Sequence, residues 1–156
     1  MKKILIALVA SASLATPALA NEGRIEARGG VAWVCDGCTA EDVYGVAAGY
    51  DFDLGTGGKA FAGVEVAGDQ IAVSGSKVAF SFGGRLGVRA GEKGKFYVNG
   101  GYQTESFPAF GGDPYAGVGY EQGIGQNFYV KAEYRHLFVD AFDDTNVVAA
   151  GVGVRF

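Results

Sequence analysis

From Phe128 to Val139, hydrophobic and polar residues alternate at period two. Phe128, Val130, Ala132, Tyr134, His136 and Phe138 fall on one face, and Tyr129, Lys131, Glu133, Arg135, Leu137 and Val139 on the other. The alternation predicts a strand. It does not say which face is inside, because a soluble sheet hides its oily face while a membrane barrel turns that face outward.

Seven further segments read the same way, giving eight predicted strands: Arg24–Val34, Val43–Leu54, Lys59–Gly68, Val78–Ala90, Lys95–Phe107, Pro114–Gly123, Phe128–Val139 and Val147–Phe156. In the fourth, Val78, Phe80, Phe82, Gly84, Leu86 and Val88 oppose Ala79, Ser81, Gly83, Arg85, Gly87 and Arg89. In the eighth, Val148, Ala150, Val152, Val154 and Phe156 oppose Val147, Ala149, Gly151, Gly153 and Arg155. One face is bulky and apolar; the other is charged or very small.

The small, charged face decides the orientation. A solvated sheet face has no reason to prefer Gly and Ala between its charges. Inside a closed barrel of eight strands, small residues must make room for large ones. With that face inside, the apolar faces of all eight strands point outward, and only lipid tolerates this. Closure also leaves no unpaired edge in the bilayer. The fold class predicted is therefore all-β, an eight-stranded antiparallel up-and-down transmembrane β-barrel.

Composition and connections agree with this reading. Glycine accounts for 27 of 156 residues and proline for 3, which suits close-packed strands with tight turns. Short connections after strands two, four and six alternate with mostly longer, more polar ones at Cys35–Asp42, Asp69–Lys77, Pro108–Asp113 and Asp140–Asn146. After residue 20 no apolar run approaches the ~18 residues of a membrane-spanning helix. Trp33, Tyr44 and Phe138 at one level, and Phe52, Phe96, Phe128 and Phe156 at the other, are expected to form two interfacial aromatic girdles.

Residues 1–20, MKKILIALVASASLATPALA, combine a basic start, an apolar stretch and a small-x-small end at Ala18-Leu19-Ala20, the pattern of a secretory signal peptide. Its removal leaves residues 21–156 as one barrel domain, with 11 basic against 17 acidic residues and a net charge of −6. An acidic chain without a basic stripe is a poor partner for nucleic acid.

The signal peptide, the strand Tyr129-Val130-Lys131-Ala132-Glu133-Tyr134-Arg135-His136 and a final strand ending on Phe156 together resemble the small outer-membrane barrels of Gram-negative bacteria. These are the opacity-type surface antigens and the membrane domain of outer membrane protein A. The resemblance implies a location in the outer membrane, contact with its lipid and lipopolysaccharide, and Phe156 as the signal read by the barrel-assembly machinery. Against the family's pattern, short external loops and no periplasmic domain after the last strand are expected.

The predicted interior collects Arg24, Glu26, Arg28, Asp51, Asp53, Lys59, Glu65, Arg85, Arg89, Lys95, Glu121, Lys131, Glu133, Arg135 and Arg155. Both signs recur throughout, and an unpaired charge in so confined a space would cost several kcal/mol, so a paired network is expected. Two readings follow: a structural plug, favoured by the narrow lumen of eight strands, and a narrow porin-like channel.

Outside the lumen, candidate chemistry is sparse. In an exported protein the Cys35-Asp36-Gly37-Cys38 spacing predicts a small local disulfide; a thioredoxin-type site would need a βαβ context and a zinc site more ligands. His136, the only histidine, falls on the apolar face near the outer end of its strand. A lipid A-modifying hydrolase there would need a serine nucleophile beside it, whereas two residues on stands Phe138. Asp36, Glu41, Asp42, Asp69, Asp113, Asp140, Asp143 and Asp144 make the longer-loop end acidic; without calcium-loop spacing, a solvated rim is favoured over a cation site. The expectation is thus a non-enzymatic barrel with a structural or surface-contact role and no cofactor or metal, of undetermined oligomeric state.

Overall fold

The computed structural model describes residues 21–34, 39–55, 57, 59–104, 112–139 and 143–156. Its eight strands are β1 (Glu22–Trp33), β2 (Glu41–Leu54), β3 (Ala60–Ile71), β4 (Ala79–Ala90), β5 (Gly94–Gln103), β6 (Asp113–Ile124), β7 (Phe128–Leu137) and β8 (Thr145–Arg155). Each pairs antiparallel with the next, and β8 returns to β1 through a register running from Arg24↔Arg155 to Trp33↔Asn146. The sheet is a closed up-and-down barrel, so no strand presents an unpaired edge. The last residue takes part in closure: the Gly23 amide donates to the Phe156 carbonyl at 2.9 Å, and the Phe156 amide donates to the Gly23 carbonyl at 3.0 Å.

Connections at one end, here the turn end, span 5, 3 and 3 residues, and those at the other, the loop end, span 7, 7, 9 and 7. All three turns enter through a glycine in the left-handed region, Gly55 at φ +77°, Gly91 at φ +68° and Gly125 at φ +65°, where a side chain would be strained.

Burial answers the question posed by β7. Phe128 is 58% exposed, whereas its neighbour Tyr129 is fully buried, and the alternation continues along the strand with Lys131, Glu133 and Arg135 inside. The other strands follow suit: Val46, Val64, Val66, Phe80, Leu86 and Val118 point outward and are exposed. Aromatic clusters sit at both ends of this apolar belt. Tyr50 packs on Phe52 and Phe96 on Tyr120 towards the turn end, and Phe82 packs on Tyr102 towards the loop end. Among the described residues no helix is long and apolar enough to cross a membrane; the crossing elements are strands.

Most boundaries differ from the sequence-based expectation by one or two residues, and three differences bear on the lumen or the loops. Strand β3 runs on to Ile71, past the predicted end at Gly68, which places Asp69 in a strand rather than on the acidic rim. Strand β5 stops at Gln103; Phe107, its predicted end, lies outside the described residues. Lys59, expected in the lumen, is exposed in the turn before β3: its carbonyl accepts from the Arg89 amide at 2.7 Å, but it lies one residue outside the first ladder pair, Ala60↔Val88.

Interior glycines are seats for large side chains on neighbouring strands. A Cβ at Gly119 would enter the Tyr97 ring, one at Gly153 would lie 2.5 Å from Tyr129 Cζ, and one at Gly87 would lie 2.6 Å from the Phe61 ring. Gly119→Val should therefore destabilise the barrel by about 1–3 kcal/mol through overpacking. Gly84→Ala, which meets only the Gly63 carbonyl at 3.5 Å, should stay within about 0.5 kcal/mol. Urea unfolding in lipid vesicles, followed by fluorescence of the single tryptophan, Trp33, would measure both; equal effects would count against interlocked packing.

Candidate functional site: the charged lumen

Because side chains alternate along each strand, every strand delivers its second residue set to one axial space. Among the described residues six cations (Arg24, Arg28, Arg85, Lys95, Lys131, Arg135) and five carboxylates (Glu26, Asp51, Glu65, Glu121, Glu133) are buried there. An isolated ion in such a place would cost several kcal/mol. None is isolated.

Glu65 on β3 is one hub. It accepts from Arg24 Nη2 at 2.6 Å, Arg135 Nη2 at 2.7 Å and Arg28 Nη1 at 3.3 Å, with Lys131 Nζ 3.9 Å away. Asp51 on β2 is the other. It accepts from Arg85 Nε at 2.8 Å, Arg85 Nη2 at 2.5 Å, Lys95 Nζ at 3.0 Å and Arg24 Nη1 at 3.3 Å. Arg24 thus joins the two hubs.

Around them, Lys131 Nζ lies 2.5 Å from Glu26 and 3.4 Å from Glu133, and Arg135 Nε also pairs with Glu133. Lys131 and Arg135, which flank Glu133 on one strand face, therefore both contact it. Arg28 pairs with Asp69, and Arg85 Nη1 with Glu121 at 3.2 Å. Towards the turn end Lys95 pairs with Glu22, Arg89 with Asp53, and Arg155 lies 3.7 Å from both Glu22 and Glu121. Each of the eleven buried charges has at least two partners of opposite sign.

Aromatic side chains complete the filling. Tyr97 Oη donates to Glu133 at 2.7 Å and Tyr129 Oη to Glu26 at 2.8 Å. The Arg85 guanidinium lies 4.9 Å from the Tyr97 ring centre and 5.2 Å from that of Phe61, and Arg135 lies 4.9 Å from Tyr115.

Three of the pairs have a special position. In a ring of eight strands, β3 and β7 are diametrically opposite, as are β1 and β5. Glu65–Arg135 and the longer Glu65–Lys131 contact join the first two and Glu22–Lys95 the second, at different heights along the axis. The lumen is thus bridged twice, in crossed directions.

Sequence reasoning names most of these charges and misses others. Asp69 is absent from the predicted interior because its predicted strand stops short, and Glu22 because it precedes the predicted start of β1. Tyr97, Tyr115 and Phe61 join the network without being named, and Tyr129 is named only as sharing the charged face of its strand; the period-two register carries the signal for them. Cys35, Cys38, Asp36 and Asp140 lie outside the described residues. His136 faces outward at the loop end, with Nδ1 3.0 Å from Asn146 Oδ1 and Nε2 3.1 Å from Asp144 Oδ2. Among the described residues no group of three or more metal-ligating side chains is gathered.

Above the bridges, towards the loop end, the lumen opens into a cavity of about 590 Å³ whose floor includes Arg28, Asp69, Glu133 and Arg135.

A closed eight-stranded barrel with an apolar exterior and an ion-paired interior is the architecture of a small transmembrane barrel. The sequence matches the model of the outer membrane protein beta-barrel domain over residues 4–156, and the chain belongs to that family. Comparison with curated protein sequences finds no significant match. Among solved structures, the chain is similar to the N-terminal barrel domain of Pseudomonas aeruginosa OprF (19% identity, 86% of this chain and 97% of that one, TM-score 0.63). It is also similar to Ail, the attachment invasion locus protein of Yersinia pestis (15%, 87% and 97%, 0.58), and to the outer membrane enzyme PagL (11%, 84% and 98%, 0.64). At these identities the likeness is one of fold.

The doubled partners make a specific prediction. Glu65→Gln leaves Arg24 with Asp51, Arg28 with Asp69 and Arg135 with Glu133, so its cost should fall below the ~3–5 kcal/mol of a stranded buried charge. Glu65→Gln combined with Glu133→Gln strips Arg135 of both its carboxylates and should cost more than the sum of the single changes. Urea unfolding midpoints in lipid vesicles would measure the cycle; strict additivity would contradict a shared network.

Proposed function

We propose that the protein is a structural or surface-contact component of the Gram-negative outer membrane, exported with cleavage of residues 1–20 and closed to steady ion flow. The loop end faces outward and the turn end faces the periplasm. The outer belt meets lipid and lipopolysaccharide, and Phe156 is read by the barrel-assembly machinery.

The observation that carries this reading is the pair of crossed bridges, Glu65–Arg135 and Glu22–Lys95. An ion on the axis would have to break both bridges in turn, leaving buried charges short of partners at each step. The lumen charges act as filler that holds eight walls together rather than as a selectivity ring.

The same reading is non-enzymatic. The likeness to PagL is one of fold, and His136 is engaged by Asn146 and Asp144 at the rim, which suits an interfacial tether. Purified protein in a planar bilayer should give no stable conductance, and lipid A deacylation should be the same for wild type and His136→Ala. A steady channel of porin size would overturn the plug, and deacylation lost in His136→Ala would overturn the non-enzymatic assignment.

A further inference from the structure

Inward-facing positions change character midway along the barrel. From the turn end, β7 directs Tyr129, Lys131, Glu133 and Arg135 inward, then Leu137; β1 directs Arg24, Glu26 and Arg28 inward, then Ala32. Around the same cavity β2 contributes Val43, paired with Ile71 on β3, and β8 contributes Val147 and Ala149, which pair with Arg135 and Glu133 of the floor. Lumen positions that merely faced water would gain nothing from aliphatic side chains, whose exposure to water is unfavourable. The apolar collar stands directly on the ion-paired floor.

From this we infer that the loop-end cavity is a binding cup for a small neutral or cationic amphiphile, its aliphatic body against Val43, Ile71, Leu137, Val139, Val147 and Ala149 and its polar group at the rim. Three observations support it. The volume, about 590 Å³, suits a small molecule, and the lining sets ten aliphatic side chains and Trp33 beside eleven polar or charged ones, so the cavity offers both an apolar wall and polar ends. The floor is closed and self-neutralised, since Arg28 is held by Asp69 and Glu65, and Arg135 by Glu133 and Glu65; a ligand would rest on it rather than pass through. The charged side chains lining the rim among the described residues, Glu41, Asp113 and Asp143, are all acidic, and the lining cations lie at the floor, already paired. An anionic head group would meet like charge there, and a cationic one would meet opposite charge.

The inference rests on the closed lumen of the proposed function, but saturable binding at the loop end is read separately from conductance. It can be tested on the full-length mature protein in lipid nanodiscs, with Ile, Leu and Val methyls labelled for NMR and titrated with decyltrimethylammonium, decanol or decanoate. Ile71, Leu137 and Val147 methyls should shift saturably with the first two. Decanoate should bind at least about tenfold more weakly than decyltrimethylammonium because of the acidic rim. Lipid-facing Val130 and Val152 should shift without saturation, reporting partition into the bilayer. Val147→Phe, which fills the cup, should abolish the saturable component; should that variant not assemble, the wild-type titrations still decide. Unresponsive lumen methyls, lumen shifts that track Val130 and Val152 without saturating, decanoate binding as tight as that of the cationic probe, or undiminished binding in a folded Val147→Phe barrel would each overturn the cup.

Discussion

Everything in this barrel depends on the charges inside it being compensated. Eight strands that turn their aliphatic faces to lipid must turn their other faces to each other, and here those faces carry six buried cations and five buried carboxylates. Removing such ions from water costs several kcal/mol each, recovered only through close and multiple pairing. Glu65 and Asp51 supply that pairing as hubs, and Arg24 ties them together. Because the partners come from opposite walls, the network also fixes the distance between those walls, acting as a set of internal struts. Partner redundancy spreads the consequence of any one loss.

Packing follows from the same constraint. A narrow cylinder holding arginines, lysines and four buried aromatics has room only if neighbouring positions carry no side chain. Hence Gly119 lies beneath Tyr97, Gly153 beneath Tyr129 and Gly87 beneath Phe61. The tyrosines are more than filler, since Tyr97 and Tyr129 bring hydroxyl donors to Glu133 and Glu26. Where charges end, near Arg28, Asp69 and Arg135, the struts end too, and the lumen widens into the apolar cup. One tier of the barrel is thus solid and the next is hollow.

Much of this was legible in the sequence because strand periodicity is a local property. The alternation in Phe128–Val139 and the Gly/Ala enrichment of one face suffice to orient every strand and to name Arg24, Glu65, Arg85, Lys131, Glu133 and Arg135 as inward. Failures occur where local chemistry competes with the ladder. Asp69 reads as a loop residue because aspartate favours turns, yet pairing with β2 and β4 carries β3 past it and a buried arginine holds it inside. Lys59 has the right parity but sits in a turn, where parity has no meaning. The cross-lumen partners were not legible at all, since they depend on the register of all eight strands together. The cup shares that origin: Leu137 and Val139 stand on the charged face in the sequence, but only the closed ring brings them around one cavity with Val43, Ile71 and Val147.

The central claim, a closed barrel held from within and bathed in lipid without, is tested most directly by electrophoretic mobility in detergent with and without boiling, on protein recovered from fractionated cells. The account predicts that the protein sediments with the membranes and that the unboiled form migrates at a different position from the boiled one, because the closed sheet resists detergent until heated. A single position under both conditions, together with release into the soluble fraction, would contradict it.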